Sequence, residues 1–98
     1  MRLIQLHATK RGCRLFRNNT GVARTADGST IRFGLCVGSS DLIGWTSTGR
    51  FLAVEVKTPT GRTSQEQDRF ISAVRSMGGL AGVCRSVQDL DTLLGVAV

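Results

Sequence analysis

Acidic side chains are nearly absent from the first third of this chain. Asp27 is the only one before Asp41, whereas Arg2, Lys10, Arg11, Arg14, Arg17, Arg24 and Arg32 all fall in that region. No acidic residue precedes Asp27, so the first 26 residues offer no acidic metal ligand. No apolar run approaches the roughly 18–20 residues that cross a bilayer, which argues against a membrane span. Cys13, Cys36 and Cys84 are odd in number and far apart, with no C-x-x-C pair. That spacing excludes a zinc knuckle or a thiol redox motif. The three are expected to be small buried hydrophobes in a reducing compartment. The N-terminal Met1-Arg-Leu-Ile-Gln-Leu-His-Ala lacks a secretory pattern, so a cytoplasmic protein is expected. Repeats, linkers and low-complexity tracts are also missing.

What is present is basic. The 98 residues carry a formal charge of +6, and arginine supplies 11 of the 13 lysine and arginine residues. Arginine suits planar, bidentate contact with phosphate better than lysine does. The imbalance favours nucleic acid as the partner over a membrane surface. A length of 98 residues with 41% hydrophobic content fits one domain, residues 1–98, around one modest core.

The elements follow from periodicity and punctuation. Residues 2–11 are expected to form a short helix that buries Leu3, Ile4, Leu6 and Ala8 and stops at Gly12. Cys13–Arg17 alternates apolar and basic, as a half-buried strand does. Asn18–Gly21 has turn chemistry, and residues 22–29 are expected to be an exposed loop ending at the Asp27-Gly28 turn. Thr30–Val37 is the next strand candidate. Asp41–Trp45 and Phe51–Lys57 then form a hairpin around Thr46-Ser-Thr-Gly-Arg50. Pro59 and Gly61 mark a loop. Ser64 with Gln67, or Thr63 with Glu66, makes a capping box that opens a helix with Phe70, Ile71, Val74 and Met77 as its buried stripe. Gly78-Gly79 ends it. A strand over Leu80–Cys84 and a helix capped by Ser86 complete the order α-β-β-β-β-α-β-α. The expected fold class is α/β, a mixed sheet flanked by helices.

The hairpin carries the chemistry. If its centre is Thr48, partner numbers sum to about 96 across an antiparallel pair. Trp45 then faces Phe51, Ile43 faces Ala53, and Asp41 lies opposite Glu55. Leu52, Val54 and Val56 line the other face, and both faces are apolar, as in a covered central strand. Lys57 shares the face of Glu55. Like charges directly opposite each other destabilise a sheet, and a divalent cation held by both carboxylates would offset that cost. Mg²⁺ or Mn²⁺ takes oxygen ligands and keeps several waters. Asp41 and Glu55 would supply two ligands and the Val56 carbonyl a third. Lys57 would position a water or offset charge in the transition state.

Asp41 with Glu55-Val56-Lys57 matches D-x(n)-E-x-K, the core pattern of the PD-(D/E)XK nuclease superfamily. The surrounding text is more specific. Phe16-Arg-Asn-Asn-Thr-Gly21, Phe33-Gly-Leu35, Gly38-Ser-Ser-Asp-Leu-Ile-Gly44, Val54-Glu-Val-Lys-Thr58 and the Ser64, Gln67, Phe70 spacing resemble the VRR-NUC (virus-type replication-repair nuclease) family over roughly residues 12–88. The resemblance implies a restriction-endonuclease-like fold and metal-dependent cleavage of DNA phosphodiesters. It also implies Asp41 and Glu55 as the metal-binding acids, with Ser40 where a proline is usual, Lys57 as the motif lysine, and Gln67 as a glutamine bordering the site. Many members carry a glutamate on the first helix. Here Gln5 or His7 takes its place, or the helix begins later, which favours one metal ion over two.

Structured DNA such as junctions or flaps is the expected substrate, with no organic cofactor. The setting would be replication or repair in a bacterial or phage-infected cell. Arg17, Asn18, Asn19, Arg32, Ser39, Ser40 and Arg62 are the candidate DNA contacts. Ser39 and Ser40 otherwise shape a turn, and Trp45 is expected in the core rather than as a base-stacking platform. A homodimer is expected, with Leu93–Val98 either its interface or a cover for the core. The competing readings are a nucleic-acid-binding module that no longer cuts, and a subunit whose basic face binds an acidic protein.

Overall fold

The computed structural model describes residues 1–96. Its elements are α1 (Arg2–Lys10), β1 (Arg14–Arg17), β2 (Gly21–Arg24), β3 (Thr30–Phe33), β4 (Leu42–Trp45), β5 (Phe51–Val56), α2 (Gln65–Ser76), β6 (Leu80–Cys84) and α3 (Val87–Leu94). Four strands make a mixed sheet in the order β1-β4-β5-β6, with β5 and β6 parallel and the other pairs antiparallel. Among the described residues no helix is long and apolar enough to cross a membrane.

The central hairpin has the register expected from its turn. Leu42 pairs with Val54, Ile43 with Ala53, Gly44 with Leu52 and Trp45 with Phe51. The Thr46 amide donates to the Arg50 carbonyl to close the turn, and Gly49 supplies its positive φ of 86°. Strand β5 is covered on both faces. On one face Leu52 and Val54 pack with Leu42, Leu15, Ile4, Ala8 and Leu90, which brings α1 and α3 against the sheet. On the other, Ala53 packs with Ala81 and Ile71 of α2.

The C-terminal end of α1 is tied to α3 by a partly buried ion pair. Arg11 donates through Nε and a terminal nitrogen to the two carboxylate oxygens of Asp91, at 2.9 and 3.1 Å. His7 Nε2 meets the same carboxylate at 2.8 Å. The Arg11 guanidinium, with His7 beside it, holds the Asp91 carboxyl below its ordinary pKa.

Several expectations are corrected. Residues 22–24 are not loop: β2 pairs with β3 in a separate two-stranded ribbon whose turn is Asp27-Gly28. The ribbon residues are mostly exposed, so burial imposed no apolar alternation on their sequence. The strand expected over Thr30–Val37 stops at Phe33, because Gly34 turns with φ 88°. α1 buries only Ile4 and Ala8; Leu3 is 73% exposed and Leu6 51%. Met77 is 89% exposed, since α2 outruns the sheet beneath it. Cys36 is exposed while Cys13 and Cys84 are buried. Leu93 and Leu94 pack against the core, and Ala97 and Val98 lie outside the described residues.

Candidate active site

Asp41 sits in the bend immediately before β4, and Glu55 is the fifth residue of the six-residue strand β5. Continuing the hairpin register by one residue sets the two side by side. Asp41 is fixed at both its ends. Its backbone carbonyl accepts from the Asn18 amide at 2.7 Å, and its Oδ2 accepts from the Val56 amide at 2.9 Å. Lys57, the next residue, donates its amide to Cys84 on β6. Backbone groups alternate sides along a strand, so the Val56 carbonyl is directed to the Asp41 side, as its amide is.

Glu55 is 1% exposed. Its Oε1 accepts from Gln67 Nε2 at 2.9 Å and lies 3.7 Å from Lys57 Nζ. Its Oε2 is buried with no hydrogen-bond partner. Burial, then the adjoining Asp41 carboxyl through hydrogen bonding and charge, pushes the Glu55 carboxyl up to about 7, with Lys57 opposing. A buried carboxylate oxygen without a donor is costly to maintain in the charged form. Two hard oxygen donors of like charge, one of them orphaned, fit a divalent cation. Among the described residues, no three His, Cys, Asp or Glu side chains gather into a larger metal cluster. The protein therefore offers two carboxylates here, with the remaining coordination left to backbone oxygen and water.

Gln67 combines two roles. Its Oε1 accepts from the Ser64 amide at 2.8 Å, which completes the capping box of α2. Its Nε2 holds Glu55. The start of the helix and the buried carboxylate are thus linked through one side chain.

The loop leading into Asp41 is held by Asn18. Its Nδ2 donates to Ser39 Oγ at 2.7 Å and to the Ser40 carbonyl at 2.9 Å, while its Oδ1 accepts from the Leu35 amide at 3.1 Å. Ser39 Oγ in turn donates to the Cys36 carbonyl at 2.7 Å. Ser39 and Ser40 are both buried, and the Ser39 hydroxyl is engaged within the turn. Asn18 likewise works inward, as the brace for Asp41. The Ser40 hydroxyl, like Glu55 Oε2, is buried without a partner. Arg17, Asn19, Arg32 and Arg62 are exposed and free to meet a polyanion. Neither first-helix candidate turns to the carboxylates: Gln5 donates to the Leu15 carbonyl, and His7 is engaged with Asp91.

The Glu55 shift gives a stability prediction for the metal-free protein. A carboxyl raised in the folded state from 4.5 to about 7 binds its proton more tightly there than in the unfolded chain. Its contribution to stability is full below the unfolded value and is lost as pH rises to about 7. With a chelator present, the melting temperature of the wild type should fall across that window more steeply than that of Glu55→Gln. Parallel melting curves against pH would show that Glu55 does not titrate as its burial requires.

A mixed sheet with helices on both faces, and an acid pair at the end of its central strand, is the restriction-endonuclease-like nuclease arrangement. The model of the VRR-NUC domain family matches residues 4–88, and the chain belongs to that family. Membership implies a nuclease-type function with DNA as substrate. A comparison with curated proteins found no match.

Proposed function

We propose that the protein is a metal-dependent DNA endonuclease that hydrolyses phosphodiester bonds in structured DNA such as junctions and flaps, and that it acts as a homodimer in replication or repair. The observation that carries this reading is the orphaned, buried Glu55 Oε2 beside Asp41, inside a VRR-NUC domain. Asp41, Glu55 and the Val56 carbonyl would hold Mg²⁺ or Mn²⁺. When bound, such an ion supplies Lewis acidity toward a phosphate oxygen and makes a water a better nucleophile.

The remaining chemistry belongs to the side chains. Gln67 fixes the orientation of Glu55 through Oε1 and leaves Oε2 available. The Val56 amide does the same for Asp41 through Oδ2. Lys57 stands beside the acid pair, partly exposed, where its ammonium can offset the charge that grows on a phosphate oxygen under attack. Arg17, Arg32 and Arg62 supply phosphate contacts outside the site. Two small basic domains in a symmetric pair would reach two strands of a branched substrate.

The test is a panel of flaps, four-way junctions, single strands and plain duplex, each incubated with Mg²⁺ and with Mn²⁺. Cleavage of the branched substrates ahead of plain duplex is expected. No cleavage of any substrate with either ion would overturn the enzymatic reading.

A further inference from the structure

Helix α2 packs on β5 and β6 and leaves the outer part of the same sheet face open. Phe16 of β1 is 51% exposed there, and Trp45 of β4 is 48% exposed, where the sequence placed it in the core. Their rings lie 5.4 Å apart at an interplanar angle of 49°. Phe51, paired with Trp45, is 40% exposed. The strip shares its sheet face with the acid pair: Trp45 follows Asp41 by four residues, and Phe51 precedes Glu55 by four. At about 3.3 Å per residue the rings stand about 13 Å from the carboxylates. That is about four stacked nucleotide steps.

Charge identifies the occupant. Arg14 pairs with Trp45 and so shares its face, and Arg50 at the turn is anchored to the Gly78 carbonyl at 3.0 Å. No acidic residue lies on β1, on β4 or in the turn joining β4 to β5. An apolar strip flanked by Arg14 and Arg50 suits a partner that brings flat rings on a polyanion.

We infer that Trp45 and Phe16, with Phe51 beside them, form a stacking platform for unpaired bases of the DNA whose phosphate lies at Asp41 and Glu55. This rests on the nuclease reading and deepens it, since it names what tells branched DNA from plain duplex. Bases inside a duplex present edges to the grooves, whereas unpaired bases present faces that stack on aromatic side chains. The platform therefore engages a flap or junction arm and passes over intact duplex.

Trp45 is the only tryptophan, and the chain has no tyrosine, so intrinsic fluorescence reports on the platform alone. In chelator, the full chain is titrated with an oligothymidylate and with a blunt duplex of equal length, while anisotropy of labelled DNA follows binding independently. Saturable quenching by the unpaired strand and little by duplex is expected. Phe16→Leu, which keeps the fluorophore, and Trp45→Leu should each lower the affinity ratio of unpaired to duplex DNA about tenfold. Trp45→Phe should restore most of that ratio, which a general loss of folding would not permit. Binding of both DNAs without quenching would overturn the platform and leave the nuclease reading standing. Emission that shifts with protein concentration in the absence of DNA would also overturn it, by showing that a second copy covers the strip. Absence of binding to either DNA would remove the platform together with the nuclease reading.

Discussion

Asp41→Asn is expected to lower DNA cleavage roughly a thousandfold or more while leaving salt-sensitive DNA binding in place. The asparagine oxygen can still accept from the Val56 amide, so the bend before β4 keeps its anchor. What the substitution removes is one of two charges that face each other across the hairpin. With that charge goes the electrostatic reason for a cation to bind there. Metal-assisted polarisation of a phosphate and activation of a water contribute several kcal/mol to such a reaction, and each 1.36 kcal/mol is about tenfold in rate. Binding should persist because, on the proposed reading, the exposed arginines supply most of the phosphate contacts. Equal nicking by variant and wild type would leave the protein a DNA-binding module whose acid pair does no chemistry. Loss of both binding and folding would show that Asp41 is chiefly structural.

Gly44→Ala should be among the most damaging single-methyl changes in the chain. Gly44 lies in β4 opposite Leu15 of β1, and a Cβ built there would come within 1.9 Å of the Arg14 carbonyl oxygen. The obstruction is backbone, which cannot rotate aside as a long side chain can. Relief requires β1 to part from β4, and β1 carries Leu15 into the core and leads to Asn18, the brace for Asp41. Overpacking of this kind costs on the order of 3 kcal/mol, or roughly 12–24 °C in melting temperature for a domain this small. Gly49→Ala is the informative comparison. Gly49, unlike Gly44, has a positive φ, 86°, but nothing lies within 4 Å of its added Cβ. It should lose only the conformational term of about 1–2 kcal/mol. Similar losses from both would show that the close approach of β1 at Gly44 is relieved cheaply, contrary to this prediction.

The parts of the molecule that were legible in the sequence are those where local chemistry and burial agree. Thr46–Arg50 fixes the centre of the hairpin, and alternation on both sides fixes its register, so the pairing of Ile43 with Ala53 and the approach of Asp41 to Glu55 follow from counting. The capping box at Ser64 and Gln67 was readable for the same reason. What escaped was decided by tertiary packing. β2 and β3 form an exposed ribbon, and without burial there is no apolar period to read. Periodicity gave α1 and α2 an apolar side but not how far the sheet extends beneath it, so Leu3, Leu6 and Met77 were assigned to a core that does not reach them. Asn18 meets Ser39 across 21 positions. Its two expected roles, turn residue or DNA contact, do not suggest a brace for the loop that leads into Asp41. His7 and Arg11 meet Asp91 across 84 and 80 positions, with no spacing that signals their cluster.

The acid pair remains the centre of the account. Asp41 and Glu55 are held by separate hydrogen bonds, yet one buried oxygen of Glu55 is left without a donor. The most direct test is a calorimetric titration of the full chain with Mn²⁺ in the absence of DNA, repeated on Asp41→Asn and Glu55→Gln. Saturable binding near one ion per chain in the wild type, lost in both variants, is the predicted result. Equal heats from all three proteins would contradict it.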